Sequence, residues 1–290
     1  MTPNRITEKT LRQIQKEYND ALERAVRKSR EFWKRAERVQ SGKVKPPAGL
    51  TTQAQIDGWK RAYVTRAMKT TNAVEKMANE ISGAGMNVRK SIRQSMQRLY
   101  SAENKRTLKT LDKAFSSGLS PMKQKEIAKL LDARQTAFDK IALGNLTAKG
   151  DIAQRLRREM AAAIARGDDQ KKMLKRIQIV TGKKESDAKR ILRTESTRIR
   201  GEAMQDTAEE WQSATGRIAM KRWHCVFHNS RDTHMEMNGQ EVPVEERFVS
   251  KSGATFAYPG DDEDADASEI VNCQCWMEVF ADDGEVLEWG

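Results

Sequence analysis

Residues 207–227 read TAEEWQSATGRIAMKRWHCVF, and the architecture turns on them. Up to about Ser213 the segment completes a helix that the pattern begins at Ser186. Gly216 breaks it, and Arg217 to Phe227 reads as a strand. The chain is therefore expected to be mainly α, with a long helical N-terminal region and a small C-terminal α+β module.

On the N-terminal side the helical reading continues. No proline falls between 122 and 242, which leaves room for long helices. Leu11, Ile14, Tyr18, Ala21, Ala25, Phe32, Ala36 and Val39 form one apolar stripe, predicting a single long helix ended by Gly42 and Pro46-Pro47. Thr52 and Gln55 read as a capping box for the next helix, which carries Ile56, Trp59, Tyr63, Val74, Met77 and Ile81 and is expected to break at Gly83 and Gly85. A third helix follows, from Val88 to Phe115. Gly118, Ser120 and Pro121 make a stop and a restart, with Ser120 as N-cap. Ile127, Leu131, Phe138 and Ile141 keep helical spacing, and Gly144 and Gly150 mark a connection. Ile152, Leu156, Met160 and Ile164 form another helix, Gly167-Asp168 reads as a C-cap followed by an N-cap, and Gly182 is expected to end the next helix. Three regions result: a basic helical region over 1–118, a second helical region over 119–215, and a β-rich module over 216–290.

The module reads as short strands and turns. Asn238-Gly239 predicts a hairpin between 235–237 and 240–242, and Ser252-Gly253 a second one between Phe248-Val249 and 255–258. Residues 259–264 form an acidic loop, Cys273 to Phe280 a strand, and Asp283-Gly284 a turn. Charge divides at the same place. Residues 221–290 hold five basic and sixteen acidic side chains, net −11, whereas residues 1–220 carry +23. A basic body suits a polyanion, most simply nucleic acid, although lysine-rich helices are also commonly just solvated surface. No apolar run approaches the roughly 20 residues of a membrane span, and the first residues lack the apolar core of a secretory signal. Three cysteines in 290 residues exclude a disulfide scaffold and suit a reducing compartment.

All three cysteines (225, 273, 275) and all three histidines (224, 228, 234) lie between 224 and 275. On a strand, Cys273-Gln274-Cys275 would put both sulfurs on one face. With Cys225 and His234 they make a Cys₃His set suited to zinc, with His228 or His224 as the alternate nitrogen ligand. The one-residue gap between the paired cysteines is shorter than structural zinc sites usually show, and a small β module can also bury cysteines simply as core. His234-Met235-Glu236 followed by Cys273-x-Cys275 partly matches the zinc deaminase pattern. The second element is one residue short, however, and Asn272 stands where proline would be. No Gly-rich phosphate loop, G-x-S-x-G elbow or H-E-x-x-H occurs. In Arg193-Thr194-Glu195-Ser196-Thr197-Arg198, Glu195 sits on or beside the apolar stripe of its helix and wants a partner. Arg198 or an arginine of the module, such as Arg231, would supply a structural ion pair docking helix to module.

Taken together in order, these pieces resemble a known family: the helix with Arg193-Thr194-Glu195, then Trp223, Arg231, His234 and Asn238-Gly239, then Phe248 and Pro259-Gly260, and last Glu269-Ile270-Val271-Asn272-Cys273-Gln274-Cys275. The stretch of roughly 186–280 resembles the phage Mu protein F-like minor head proteins, also called the phage head morphogenesis family. Val226-Phe227-His228-Asn229 departs from that pattern, which usually has an acid shortly before the Arg of R-x-x-H. Some relatives place a cysteine where His234 stands.

The resemblance implies a minor capsid protein of the virion without turnover, acting in head morphogenesis at the portal vertex or capsid interior. The host cytoplasm would be its location during assembly. Its implied partners are the portal protein, the major capsid or scaffold protein, and genomic DNA, with genome packaging and ejection as the stages involved and no membrane in the particle. A basic body would lie against packaged DNA and the acidic module would face protein. Two alternatives stand beside this reading. One is a zinc-dependent hydrolase or toxin-like effector using the Cys/His cluster with Glu236. The other is a nucleic-acid-binding protein with no virion role.

Overall fold

A computed structural model of the chain describes residues 3–113, 119–133, 146–227 and 230–286. Helices dominate: α1 (Pro3–Lys28), α2 (Arg30–Gln40), α3 (Gln53–Thr70), α4 (Ala73–Lys113), α5 (Pro121–Ala133), α6 (Lys149–Ala165) and α7 (Gln170–Thr215). The module follows as β1 (Arg217–His224), α8 (Asp232–Met235), β2 (Glu241–Pro243), β3 (Phe248–Val249), β4 (Thr255–Phe256), α9 (Ala267–Ile270) and β5 (Trp276–Val286). The mainly α reading with a small α+β module holds. Among the described residues no helix is long and apolar enough to cross a membrane.

Helix boundaries differ from the sequence reading in instructive ways. The first stripe is two helices, broken at Ser29. Its hydroxyl donates to the Ala25 carbonyl (2.6 Å) and accepts from Trp33 Nε1 (2.9 Å), a side-chain bond that competes with the helical ladder. The Thr52–Gln55 capping box forms in full, each side chain accepting from the other's backbone N–H. The next break falls at Asn72, at φ +51, and not at Gly83 and Gly85. α4 runs through both glycines. Gly85 serves close approach instead, since a Cβ there would lie 2.2 Å from the Leu146 carbonyl oxygen. Ser120 caps α5, accepting from Lys123 N (3.3 Å). Gly150 lies inside α6. Asp169, not Asp168, caps α7, accepting from Lys172 N (2.8 Å), while Asp168 pairs with Arg176 (2.9 Å). Gly182 does not end a helix, because α7 continues unbroken for 46 residues. Gly118, Phe138, Ile141 and Gly144 lie outside the described residues.

The described residues group into two compact units. One, within Arg12–Lys90 and Leu143–Ala188, is helical throughout and buries Ile14, Tyr18, Phe32, Met77, Ile81, Leu156, Met160 and Ile177. The other takes in Met1–Leu11, Ser91–Ala142 and Lys189–Gly290 as far as they are described. Here the module and the end of α7 share one apolar core, in which Met204, Ala208 and Trp211 of α7 pack with Trp223, Phe248, Phe256, Met277 and Val279.

In the module, β1 is the central strand of an antiparallel sheet ordered β2-β1-β5, and β3 and β4 form a separate hairpin. Ala219, Lys221 and Trp223 of β1 face inward in alternation. The Ser252-Gly253 hairpin forms as expected, with Gly253 at φ +83. The Asn238-Gly239 hairpin does not. Met235 ends the helical turn α8, whose His234 and Met235 amides both donate to the Arg231 carbonyl (3.0 and 2.9 Å). The turn after it returns on β1, where Gly239 N donates to the Trp223 carbonyl (2.8 Å). Asp283-Gly284 does not reverse β5 but falls in a register shift, where the step from Arg217 to Ala219 opposes the longer run from Ala281 to Val286.

Lys221 is the exceptional core residue. Its fully buried ammonium donates to Gln205 Oε1 (3.0 Å), the Val244 carbonyl (3.0 Å) and the Ala257 carbonyl (2.8 Å). All three of its donors are thus used. Burial pulls its pKa down to about 8.

Candidate metal centre

Three segments bring the sulfurs and one imidazole together. β1 ends at His224 and delivers Cys225; α8 turns His234 inward; the stretch between α9 and β5 carries Cys273 and Cys275. The last two precede β5 instead of lying on it, so it is the loop and not strand alternation that aims both thiols inward.

His234 is almost fully buried, its ring edge-on to Trp223 and Phe256 at 5.5 and 5.4 Å. Its Nδ1 lies 3.5 Å from Cys273 Sγ and 3.6 Å from Cys275 Sγ. These three residues offer donor atoms all within 4.8 Å of one another. Cys225 joins through Cys275, Sγ to Sγ 3.5 Å, with its own thiol turned to the His234 carbonyl (2.7 Å). His224 stands apart, its ring stacked on Trp276 at 4.0 Å. His228 lies outside the described residues.

The surroundings orient each donor. His234 Nε2 lies 3.0 Å from Glu269 Oε2 but off the line of a good hydrogen bond. Thr233 and Ser252 hold the Glu269 carboxylate from either oxygen at 3.0 and 3.2 Å. The carboxylate lies beside the far nitrogen while Nδ1 faces the sulfurs, and a hydrogen bond closed between Nε2–H and Glu269 would set the tautomer of a metal-binding imidazole. A hydrogen bond from the Cys275 thiol draws the Cys273 pKa down, against the effect of burial. The same bond and burial push Cys275 up to about 12, and burial followed by the neighbouring Cys275 pushes Cys225 up to about 12.

The Arg193–Arg198 stretch acts on this centre through its threonines. Thr197 Oγ1 donates to the Cys273 carbonyl (2.8 Å), and Thr194 Oγ1 accepts from Asn272 N (2.8 Å). Asn272 is at φ +62, in the left-handed region that Asn tolerates better than most residues. Two hydroxyls one helical turn apart thus seat the cysteine loop on α7. Sequence reasoning singled out the charges here and missed the threonines, whose i, i+3 spacing on one face was the available signal.

Glu195 and Arg198 do pair, at 3.0 Å and with side chains nearly buried, and Arg198 also bonds Glu202 (2.8 Å). Arg231 donates instead to the Val271 carbonyl (2.6 Å), bracing the cysteine loop from the other side. The Pro259-Gly260 segment packs on α7 at that level. A Cβ on Gly260 would meet Arg198 N at 2.9 Å, and one on Gly201 would meet Tyr258 Cδ2 at 2.8 Å. Glu236, the acid a hydrolase reading needs, is exposed and paired with Lys251 (2.5 Å).

A helical body carrying a small α+β module, closed around a buried His/Cys/Cys group able to hold a metal, defines the class. Residues 154–278 match the family model described as Phage Mu protein F like protein. The match covers 125 of the 290 residues, under half of the chain, and is a likeness of that segment to the family. No curated protein and no solved structure matches the chain.

Proposed function

We propose that the protein is a low-copy minor head protein whose C-terminal module is stapled by zinc through His234, Cys273 and Cys275, with Cys225 closing the set. The observation that carries the metal is a pair of lengths. Around a tetrahedral zinc with Zn–S of about 2.3 Å and Zn–N of about 2.0 Å, sulfur and nitrogen ligands stand roughly 3.6 Å apart. His234 Nδ1 lies 3.5 and 3.6 Å from the two sulfurs. The donor set is soft, buried and backed by a carboxylate, all of which suit zinc. Four protein ligands leave no open coordination position, so the metal is structural. When bound it would fix the thiolates and tie β1, α8 and the loop before β5 into one piece.

The same reading sites the protein at the portal vertex or capsid interior. Its basic helical surface within 1–215 would touch genomic DNA during packaging and accompany it in ejection, while the acidic module would face the portal, the major capsid or the scaffold protein. The charge division, +23 over 1–220 against −11 over 221–290, supports this. Because the module and the end of α7 share one core, DNA binding is best tested on the full chain.

Two measurements decide the proposal. Metal analysis of freshly purified protein is expected to find about one zinc per chain, and less than one tenth of an equivalent would end the metal reading. Mass spectrometry of purified particles before and after DNA ejection is expected to find the protein in the former and depleted in the latter. Absence from both would favour a nucleic-acid-binding protein with no virion role.

A further inference from the structure

Within the unit that holds the module, α4 shows solvent an almost unbroken row of cations. Between 91 and 113, Arg93, Arg98, Lys105, Arg106, Lys109 and Lys113 are exposed. No carboxylate there is exposed, since Glu103 is fully buried and Asp112 is half-buried. Arg98, Lys105 and Lys109 stand seven and four residues apart, so they share one stripe and are spaced about 10 and 6 Å along the axis. A shallow groove beside Ile6 is lined by Arg98 and Lys105. A deeper cleft of about 590 Å³ is lined by Asn4, Arg106, Arg200, Gln274 and Trp276. The sequential neighbours Lys105 and Arg106 thus lie one on each.

The cleft has the chemistry of a nucleotide site. Arg106 and Arg200 share the single carboxylate of Glu103, each at 3.1 Å, and Arg200 also donates to Asn4 Oδ1 (3.4 Å), so two cations answer one anion here. Trp276 remains 42% exposed, and His224 stacks on its ring at 4.0 Å and 12°, fixing its orientation in advance. A cationic track leading to a fixed exposed indole, with amide groups beside it, is the combination that holds an unpaired strand: phosphates on the cations, a base on the ring. A duplex keeps its bases stacked on each other and cannot offer one.

Resting on the DNA-contact part of the proposed function, we infer that this track and cleft bind single-stranded nucleic acid, with Trp276 as the stacking platform. The test is fluorescence anisotropy on the full chain with labelled dT20, rU20 and a 20-base-pair duplex at low and moderate salt. Tighter binding of either single strand than of duplex is expected, and the stronger of the two identifies the strand. Trp276→Ala should weaken single-strand binding about tenfold and leave duplex binding unchanged, and Trp276→Phe should restore most of the loss. Lys105→Glu with Lys109→Glu should weaken every polymer and flatten the salt dependence. Single strands bound no tighter than duplex, or a Trp276→Ala protein of normal melting temperature and unchanged affinity, would overturn the inference while leaving duplex contact standing. No binding of any polymer at low salt would overturn both.

Discussion

Replacing Thr194 and Thr197 by valine removes two hydroxyls while nearly keeping the shape of the helix surface. Both hydroxyls bond the backbone of the cysteine loop at 2.8 Å, the Thr197 bond part-buried and the Thr194 bond exposed. A bond of that kind contributes about 1 kcal/mol net, so the double variant should lose about 2 kcal/mol of the docking of the loop on α7. If metal binding must then reorder the loop, zinc affinity falls by the same amount, roughly 30-fold. Zinc would be titrated against a chromophoric chelator at pH 7.5 for wild type, the two single valine variants and the double variant, each checked for unchanged helix content. The serine double variant keeps both hydroxyls and should stay within a few-fold of wild type. An affinity in the valine double variant within threefold of wild type would refute the idea that α7 pre-organises the centre. An equal loss in the serine variant would point to helix packing instead.

Five further outcomes follow from the structure. Cys273→Ser and Cys275→Ser should each release metal and lower the melting temperature of the module's transition, as measured by metal analysis and calorimetry, since metal binding and folding are coupled. Glu269→Gln should keep the fold but cost about 10–100-fold in zinc affinity by the same chelator competition. Gly182→Ala, in an open helix interior with nothing within 4 Å of the new methyl, should stabilise by about 0.5–1 kcal/mol in urea. Gly260→Ala, at φ +89 with backbone 2.9 Å away, should destabilise by about 2 kcal/mol or more. Lys221 has its pKa drawn down to about 8, so between there and the ordinary lysine value of 10.5 the unfolded chain holds the proton that the folded one has released. Its contribution therefore raises stability as pH climbs through that window and is lost as pH falls through 8. Urea melts at pH 8 and pH 10 should show a smaller rise, or a larger fall, for Lys221→Met than for wild type.

The sequence was legible where a side chain signals its own environment. The Thr52–Gln55 box, the Ser120 cap, the Phe248–Phe256 hairpin and the helix-to-strand change at Gly216 are all local, and all appear where expected. The glycines misled, because a glycine in a helical pattern can mark an end, a close approach or, as at Gly83, Gly150 and Gly182 with nothing within 4 Å, neither. Gly85 faces the Leu146 carbonyl and Gly201 faces Tyr258, partners 61 and 57 residues away in the chain and invisible to any window. The centre was partly legible. Cysteine and histidine chemistry nominated Cys225, His234, Cys273 and Cys275; the structure groups His234, Cys273 and Cys275, and Cys225 meets that group at the Cys275 sulfur. Glu269, Thr194 and Thr197 were missed because a carboxylate does not announce a histidine far along the chain, and the i, i+3 spacing of the threonines marks a shared face without naming the backbone it meets.

The acidic module explains why a cross-link belongs there. Its strands β2, β3 and β4 are only two or three residues long, too short to hold a sheet by ladder bonds alone. Its sixteen carboxylates repel one another, and five basic side chains answer them. Three of the five already bind module acids: Arg222 with Glu241 and Glu278, Arg247 with Asp261, Glu263 and Asp264, and Lys251 with Glu236. The other two, Lys221 and Arg231, are turned to backbone carbonyls and so hold segments together instead of neutralising charge. A divalent cation on buried thiolates joins three segments at once by bonds that do not depend on the surrounding charge, which neither a further arginine nor a larger apolar residue could do at that point. Chelation should therefore disorder the loop before β5 first, where Asn272 and Cys273 rely on Thr194 and Thr197, and leave the helices of the other unit untouched. Hydrogen exchange with and without chelator would read this directly. Equal loss of protection in α6 and in the cysteine loop would show that the centre does not act as a local staple.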